Sequence, residues 1–315
     1  MSQIISVVGA TGAQGGSLAR AILDDPGSGF KVRALTRNPE SDAARALADR
    51  GAEVVRADLD DAPSLRAAFE GSHGAFCVTN FWEHFSPEKE AAQARAQAQA
   101  AADASVAHVI WSTLDDTREL VPLSDDRMPT LLERYKVPHF DEKGAADAVF
   151  LELTPATCLQ TVFYWDNLIH FGLGPQREGG TAYFNLPMGE AKLPGIAAED
   201  IGRCAYGVFK RGESLTGKTI GIAGEHLTGA QMAAALTDAL GEEVVYRAIP
   251  FDVYRSFDFP GAEDMGNMFQ FKHDFEPRYT ASRSIELARE LNPRLQTFAD
   301  FLAANAHRIQ IGGES

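Results

Sequence analysis

The chain has 315 residues, a formal net charge of −15, 45% hydrophobic residues and three cysteines. That size suits one large globular domain or two fused ones with a sizeable core, and the acidic balance speaks against nonspecific nucleic-acid binding, which needs cations against phosphate. No apolar run approaches the ~20 residues of a membrane span.

The charge serves solubility instead. Cys77, Cys158 and Cys204 lie far apart, in no metal-ligand spacing. Cys77 and Cys158 sit in apolar runs and read as small buried hydrophobes. A reducing cytoplasm is the expected compartment. With the fold starting at residue 3 or 4, no signal peptide is expected.

The stretch Ile4-Ile5-Ser6-Val7-Val8 reads as a central parallel strand, apolar on both faces. Gly9, Gly12 and Gly15 follow at three-residue spacing, then Leu18, Ala19, Ile22 and Leu23 at helical spacing. Strand, glycine turn and helix in that order predict dinucleotide binding. Bare backbone lets N–H groups approach a pyrophosphate, and the helix N-terminus adds a favourable dipole. The spacing is G-x-x-G-x-x-G rather than the general G-x-G-x-x-G. Gly15 allows the helix to pack close to the strand.

A second strand is expected over Lys31–Thr36, followed by Arg37-Asn38 and no acid. A carboxylate at this point would accept from a ribose 2′-OH. A guanidinium suits a 2′-phosphate, so NADP(H) is the expected cofactor, with Arg33 a weaker second candidate. Ser41–Arg50 is a helix closed by Gly51, and Glu53–Ala57 is the third strand. Asp58-Leu59-Asp60-Asp61 comes next, where an adenine would lie; Asp60 or Asp61 alternatively caps the helix Ser64–Glu70.

The fourth strand, Gly74–Thr79, ends in Asn80-Phe81-Trp82. Strand ends line the ligand crevice, which makes Thr79 and Asn80 candidates for the phosphate or ribose side of the cofactor. Glu88–Ala104 is an Ala/Gln-rich helix, a candidate for pairing with its mate in a homodimer. His108–Thr113 is the fifth strand. Leu114–Pro138 breaks the rhythm and is placed to cover the active site. A helix through Phe150 and a sixth strand, Ala156–Val162, complete a doubly wound parallel sheet of Rossmann type, the NADP-binding domain over residues 1–162. Residues 163–315 are expected to form a smaller α+β lobe for substrate or partner, interleaved with the first. Its expected strands are Thr181–Phe184, Lys192–Pro194, Lys218–Ala223 and Val244–Ile249, and its expected helices start at Ala198, Thr228, Phe251 and Ser282.

Several motifs together resemble the NmrA-like family of atypical short-chain dehydrogenase/reductase proteins, and within it the HSCARG-type NADPH sensors. They are Gly9-Ala10-Thr11-Gly12-Ala13-Gln14-Gly15-Gly16, Val32-Arg33 with Thr36-Arg37-Asn38-Pro39, Gly51-Ala52-Glu53-Val54-Val55 and Val78-Thr79-Asn80-Phe81-Trp82-Glu83. Further on, His139-Phe140-Asp141-Glu142-Lys143-Gly144, Phe259-Pro260-Gly261-Ala262 and Asn267-Met268-Phe269 also match. The resemblance spans nearly the whole chain. It implies NADP(H) bound by the Gly9–Gly15 turn, with Thr11, Ala13 and Gln14 among its residues, and by Arg37. It also implies contacts from Thr79, Lys143 and Tyr164, and Asp58 and Asn80 are expected to join them from their places after the third and fourth strands.

The sequence departs from active short-chain dehydrogenases at one position. They place a Tyr four residues before the Lys, whose charge lowers the phenol pKa for proton transfer. Here the pair is His139 and Lys143, one helical turn apart on one face. Ser112 ends the fifth strand, where an assisting serine lies in such enzymes. Imidazole can act as an acid near neutral pH, and a His beside Pro138 at a helix start can equally be structural.

Two functions of different class follow. One is a redox-sensing regulator that binds the cofactor with little turnover and changes its contacts with a protein partner; the missing Tyr tips the sequence reading slightly this way. The other is an NADPH-dependent reductase of quinones or conjugated carbonyl compounds. For that, Phe81, Trp82, Phe163, Tyr164 and Trp165 are expected to form an aromatic pocket.

Overall fold

In the computed structural model, which describes residues 2–313, strand and helix alternate from the start. Strand β1 (Gln3–Val7) leads to α1 (Ala13–Leu23), β2 (Phe30–Thr36), α2 (Asp42–Asp49), β3 (Glu53–Arg56) and α3 (Ala62–Phe69). Then come β4 (Gly74–Cys77), α4 (Pro87–Asp103), β5 (His108–Thr113), α5 (Pro138–Leu153) and β6 (Ala156–Gln160). The later elements are shorter: β7 (Phe163–Tyr164), α6 (Asn167–His170), β8 (Gln176–Glu178), β9 (Thr181–Leu186), β10 (Lys192–Ile196) and α7 (Ala198–Arg211). They continue with β11 (Thr219–Gly221), β12 (Glu225–Thr228), α8 (Gly229–Leu240), β13 (Val244–Ala248), α9 (Phe251–Arg255) and α10 (Ala262–Asp274). The chain ends with α11 (Glu276–Ala281), α12 (Ile285–Leu291), α13 (Phe298–Asn305) and β14 (Gly312–Gly313).

Seven strands form one sheet in the order β11-β6-β5-β4-β1-β2-β3, all neighbours parallel. The chain runs outward from β1 to β3, then returns to β4 on the other side of β1. That reversal opens a crevice at the C-terminal ends of β1 and β4. Period-two alternation sends Ile5, Val7, Val32, Phe76, Ile110 and Leu159 into one core and Ala75, Cys77, Val109, Trp111 and Cys158 into a second. All three cysteines are buried, and burial pushes their thiols up.

Residues beyond β6 complete the main body as well as adding to it. β11 pairs with β6, and α7 lies against α1, where the Ser17 hydroxyl donates to the Glu199 carbonyl. Two smaller sheets, β12-β10-β7 and β13-β9-β8-β14, stand beyond. The expected starts at Ala198 and Phe251 agree with α7 and α9, and Thr228 caps α8 through a reciprocal bond pair with Gln231.

The helix expected from Ser282 begins instead at Ile285, capped by Ser284. Four helices, α6, α10, α11 and α13, were not legible. Helix α10 buries Asp264, Asn267, Gln270 and Lys272 alongside Met268, Phe269 and Phe271, so no single apolar stripe marks it.

Between β5 and α5 the backbone is irregular apart from a 3₁₀ turn at Thr117–Glu119. Buried Asp141 pins both ends of this segment. Its carboxylate accepts from the Thr117 N–H (2.9 Å) and hydroxyl (2.5 Å), and from the Lys136 (2.8 Å) and Val137 (3.0 Å) N–H groups. From α10, Asn267 Nδ2 donates to the Pro129 and Lys136 carbonyls, and Gln270 Nε2 to that of Arg127.

Candidate functional site: the crevice at the sheet's C-terminal edge

The turn after β1 is built for close approach. Gly9 has φ +63°, and a Cβ on Gly15 would fall 2.5 Å from both the Gly9 and Val8 carbonyl oxygens. Gly12 is the N-cap of α1 and offers no side-chain cap. The first N–H groups of the helix are therefore left to a ligand, and a pyrophosphate fits that cradle. Thr11, Gly12 and Ala13 are exposed at the rim.

Gln14 crosses the crevice. Its Oε1 accepts from the Ser112 hydroxyl at 2.7 Å, and its Nε2 donates to the Tyr164 hydroxyl at 2.6 Å. Tyr164 also meets Thr161 Oγ1 at 3.3 Å, and burial pushes its phenol up to about 12. The first helical turn is thereby tied to the ends of β5 and β7.

On the opposite side, Arg37 follows β2 and donates to both carboxylate oxygens of Glu83, with Nη2 to Oε2 at 3.2 Å. Hydrogen bonding to Glu83, then the charges of Glu83, Asp58 and Asp60, raise the Arg37 pKa. Asp61, not Asp60, caps α3. Asp60 instead pairs with Lys89 Nζ (2.8 Å) and accepts from Gln93 Nε2 (2.9 Å), which hold it below the usual carboxylate range. Asp58 Oδ1 accepts from the Asp60 N–H. Asn80 is exposed, immediately before the 3₁₀ turn Phe81–Glu83.

Lys143 is already engaged. Its Nζ donates to Thr79 Oγ1 (2.5 Å) and the Thr79 carbonyl (3.0 Å), and lies 2.6 Å from Glu90 Oε1. Glu90, wholly buried on α4, also accepts from the Thr79 hydroxyl at 2.5 Å and faces His84 Nε2 at 3.5 Å. The Lys143 ammonium stands over the Trp111 ring, 5.5 Å from its centre. A Glu near the start of an alanine-rich helix reads as a dipole partner, so nothing in the sequence marked Glu90 as a site residue.

His139 forms a second, separate group. Its Nδ1 is 2.6 Å from Asp264 Oδ1, and its backbone N–H donates to Asp264 Oδ2 at 3.2 Å. Trp82 lies 4.7 Å from the imidazole and Phe81 6.0 Å, ring centre to ring centre. Asp264 follows the Phe259–Ala262 motif by two residues, which is the one signal that pointed towards it.

The expected aromatic pocket divides. Phe81 and Trp82 pack on His139, but Trp165 is buried against Phe298 and Phe301 and Phe163 against Phe269, in the core of the later half. Tyr164 faces the glycine turn. Strand β7 points alternate residues to opposite faces, so three successive aromatics cannot share one wall. In their place an open groove of about 410 Å³ lies between Phe81, Phe85, Phe257 and Phe259 on one side and Arg255, Glu263 and Asp264 on the other.

The family profile described as NmrA-like matches residues 1–302. The chain belongs to the NmrA-like family. Among its relatives, the NmrA-like family domain-containing oxidoreductase FrzB of Cladobotryum sp. is 30% identical over 301 residues, spanning 91% of this chain and 88% of that protein. The negative transcriptional regulator NmrA, solved with NADP, superposes with a TM-score of 0.76 at 24% identity, over 96% of this chain and 94% of that one. The triphenylmethane reductase of Citrobacter sp., complexed with NADP(H), gives 0.74 at 21% identity, over 97% and 100%. These structures share the fold with the present chain, and a nicotinamide dinucleotide is bound in both. No helix of the described residues is long and apolar enough to cross a membrane.

Proposed function

We propose that this NmrA-like protein is an NAD(P)H-dependent oxidoreductase acting on a planar, electron-poor ring such as a quinone or conjugated carbonyl compound. The observation that carries the reading is the open groove whose wall includes Phe81, which packs on His139, and Asp264, which is bonded to it. The relatives named as oxidoreductases, aligned over most of the chain, support it.

The Gly9–Gly15 turn, with the open N-terminus of α1, would hold the pyrophosphate, and Arg37 is the group equipped to meet a 2′-phosphate. Gln14, Thr79, Asn80, Lys143 and Tyr164 stand on the nicotinamide half of the crevice, and Asp58 on the adenine half. When bound, the dihydronicotinamide supplies a hydride. Phe81, Phe85, Phe257 and Phe259 would stack on an acceptor. Asp264 fixes the His139 ring through Nδ1, so Nε2 is the nitrogen available to hold or give a proton. A quinone takes its proton from water once reduced and does not depend on that group.

A second reading has its own observation. Lys143 is spent on Glu90 and Thr79, and His139 is only 5% exposed. A site whose acid–base groups are enclosed suits a redox sensor that binds the coenzyme with little turnover, presents a different surface to a protein partner in each redox state, and acts in the cytoplasm as a monomer or homodimer. A screen of NADPH oxidation against quinones and enones decides between them. Steady turnover with any acceptor supports the reductase. Tight NADPH binding without turnover across the panel refutes it and leaves the sensor.

A further inference from the structure

The outer rim of the crevice, past β2, β3 and β4, is crowded with charge. Arg37 grips Glu83 with both terminal nitrogens, and Lys89 pairs with Asp60. Asp58 and Asp60 add to the field on Arg37, and Asp58 and Glu83 to that on Lys89. Two cations, Arg37 and Lys89, thus face three carboxylates, Asp58, Asp60 and Glu83, a balance of one negative charge before any ligand arrives.

We propose that Glu83 sets the coenzyme selectivity of this site: its carboxylate takes the guanidinium fork that a 2′-phosphate would need, so phosphorylated and unphosphorylated dinucleotides bind with similar affinity. The inference rests on the reading of the glycine turn and Arg37 as the dinucleotide site.

A fork engaged by two carboxylate oxygens has its directed donors filled. An incoming phosphate dianion must displace Glu83 or settle beside it against like charge. A ribose 2′-OH meets no such cost, since it can donate to the same carboxylate. Glu83 cannot simply swing out with its backbone. It closes the turn Phe81–Glu83, its N–H donates to the Asn80 carbonyl at 3.2 Å, and the neighbouring Trp82 packs against His139. The pair is nevertheless solvent-accessible, with side-chain exposures of 63% for Arg37 and 45% for Glu83. A pair so exposed is weak enough to be displaced, so Glu83 tunes selectivity without forbidding the phosphate.

The test is calorimetric titration of the intact protein with NADP⁺ and with NAD⁺, probes that differ in the one phosphate. In the native protein the two affinities are expected within about tenfold of each other. Glu83→Gln is expected to tighten NADP⁺ binding by about five- to tenfold and to leave NAD⁺ within about twofold. Glu178→Gln breaks the Arg247–Glu178 pair in the β9–β13 sheet and removes the same charge elsewhere; it should leave the ratio unmoved. In an Arg37→Ala background the Glu83→Gln effect should vanish. An unchanged ratio in Glu83→Gln overturns the inference. So does an equal gain for both ligands, an effect that persists without Arg37, or a native preference for NADP⁺ above about tenfold. Absence of binding by either probe to the native protein removes the dinucleotide reading itself, and the inference with it.

Discussion

Lys272 gives the sharpest quantitative test of the fold. It is buried on α10 among the rings of Phe140, Phe269 and Tyr279, its Nζ 5.3–5.7 Å from their centres. Its ammonium donates to the Met268 sulfur at 3.3 Å. Arg283 adds positive charge nearby but is itself bonded to Asp115, Gln160 and the Thr161 carbonyl. Burial first, then Arg283, lowers the Lys272 pKa from 10.5 to about 7, with Asp115 opposing.

A base whose pKa is depressed on folding binds fewer protons in the native state than in the unfolded one between the two values. Its contribution to stability is therefore complete above pH 10.5 and is lost as pH falls towards 7. At about 1.4 kcal/mol per unit, the whole window is worth roughly 4–5 kcal/mol, and the two units from pH 7.5 to 9.5 roughly 2–3 kcal/mol.

Lys272→Met keeps the shape and removes the titration. It is expected to be more stable than the native protein near pH 7, by up to a few kcal/mol, with the advantage shrinking as pH rises. Urea unfolding at half-unit pH steps for both proteins measures the difference curve directly. Parallel curves for the two proteins between pH 7.5 and 9.5 would refute the reasoning, because they would mean that Lys272 keeps its charge in the folded state.

Other outcomes follow from the same geometry. Gly15→Ala places a methyl 2.5 Å from two carbonyl oxygens and should abolish dinucleotide binding, read as loss of the shift in NADPH emission on titration. Glu90→Ala strips the buried counter-charge from Lys143 and should cost about 3–5 kcal/mol in denaturant unfolding. Asp264→Asn frees the His139 ring. On the reductase reading it should lower kcat on enones about a hundredfold while leaving quinone reduction nearly unchanged; an equal loss on both acceptors would assign Asp264 to packing alone.

Local physics carried the nucleotide half of the chain. The Ile4–Val8 run, the glycine spacing and the helical period after Gly15 each point the same way, and the structure places β1, the turn and α1 accordingly. The same holds for the six strands up to Gln160, because central parallel strands are apolar on both faces and need no distant partner to be read. Arg37 was visible at the end of β2; Glu83, which holds it, was not, since the two residues are 46 positions apart.

What the sequence determined by itself was therefore the backbone of the crevice: where strands end, where glycine is required and which residue types reach the edge. Tertiary structure alone decided how those groups are spent. Lys143 is paired with Glu90 from α4, His139 is oriented by Asp264 from α10, and Phe163 and Trp165 are turned into the core, with Phe257 and Phe259 lining the groove instead. The reason is that periodicity reports burial along one element, whereas charge pairing and groove shape depend on elements brought together from 46 to 125 residues apart.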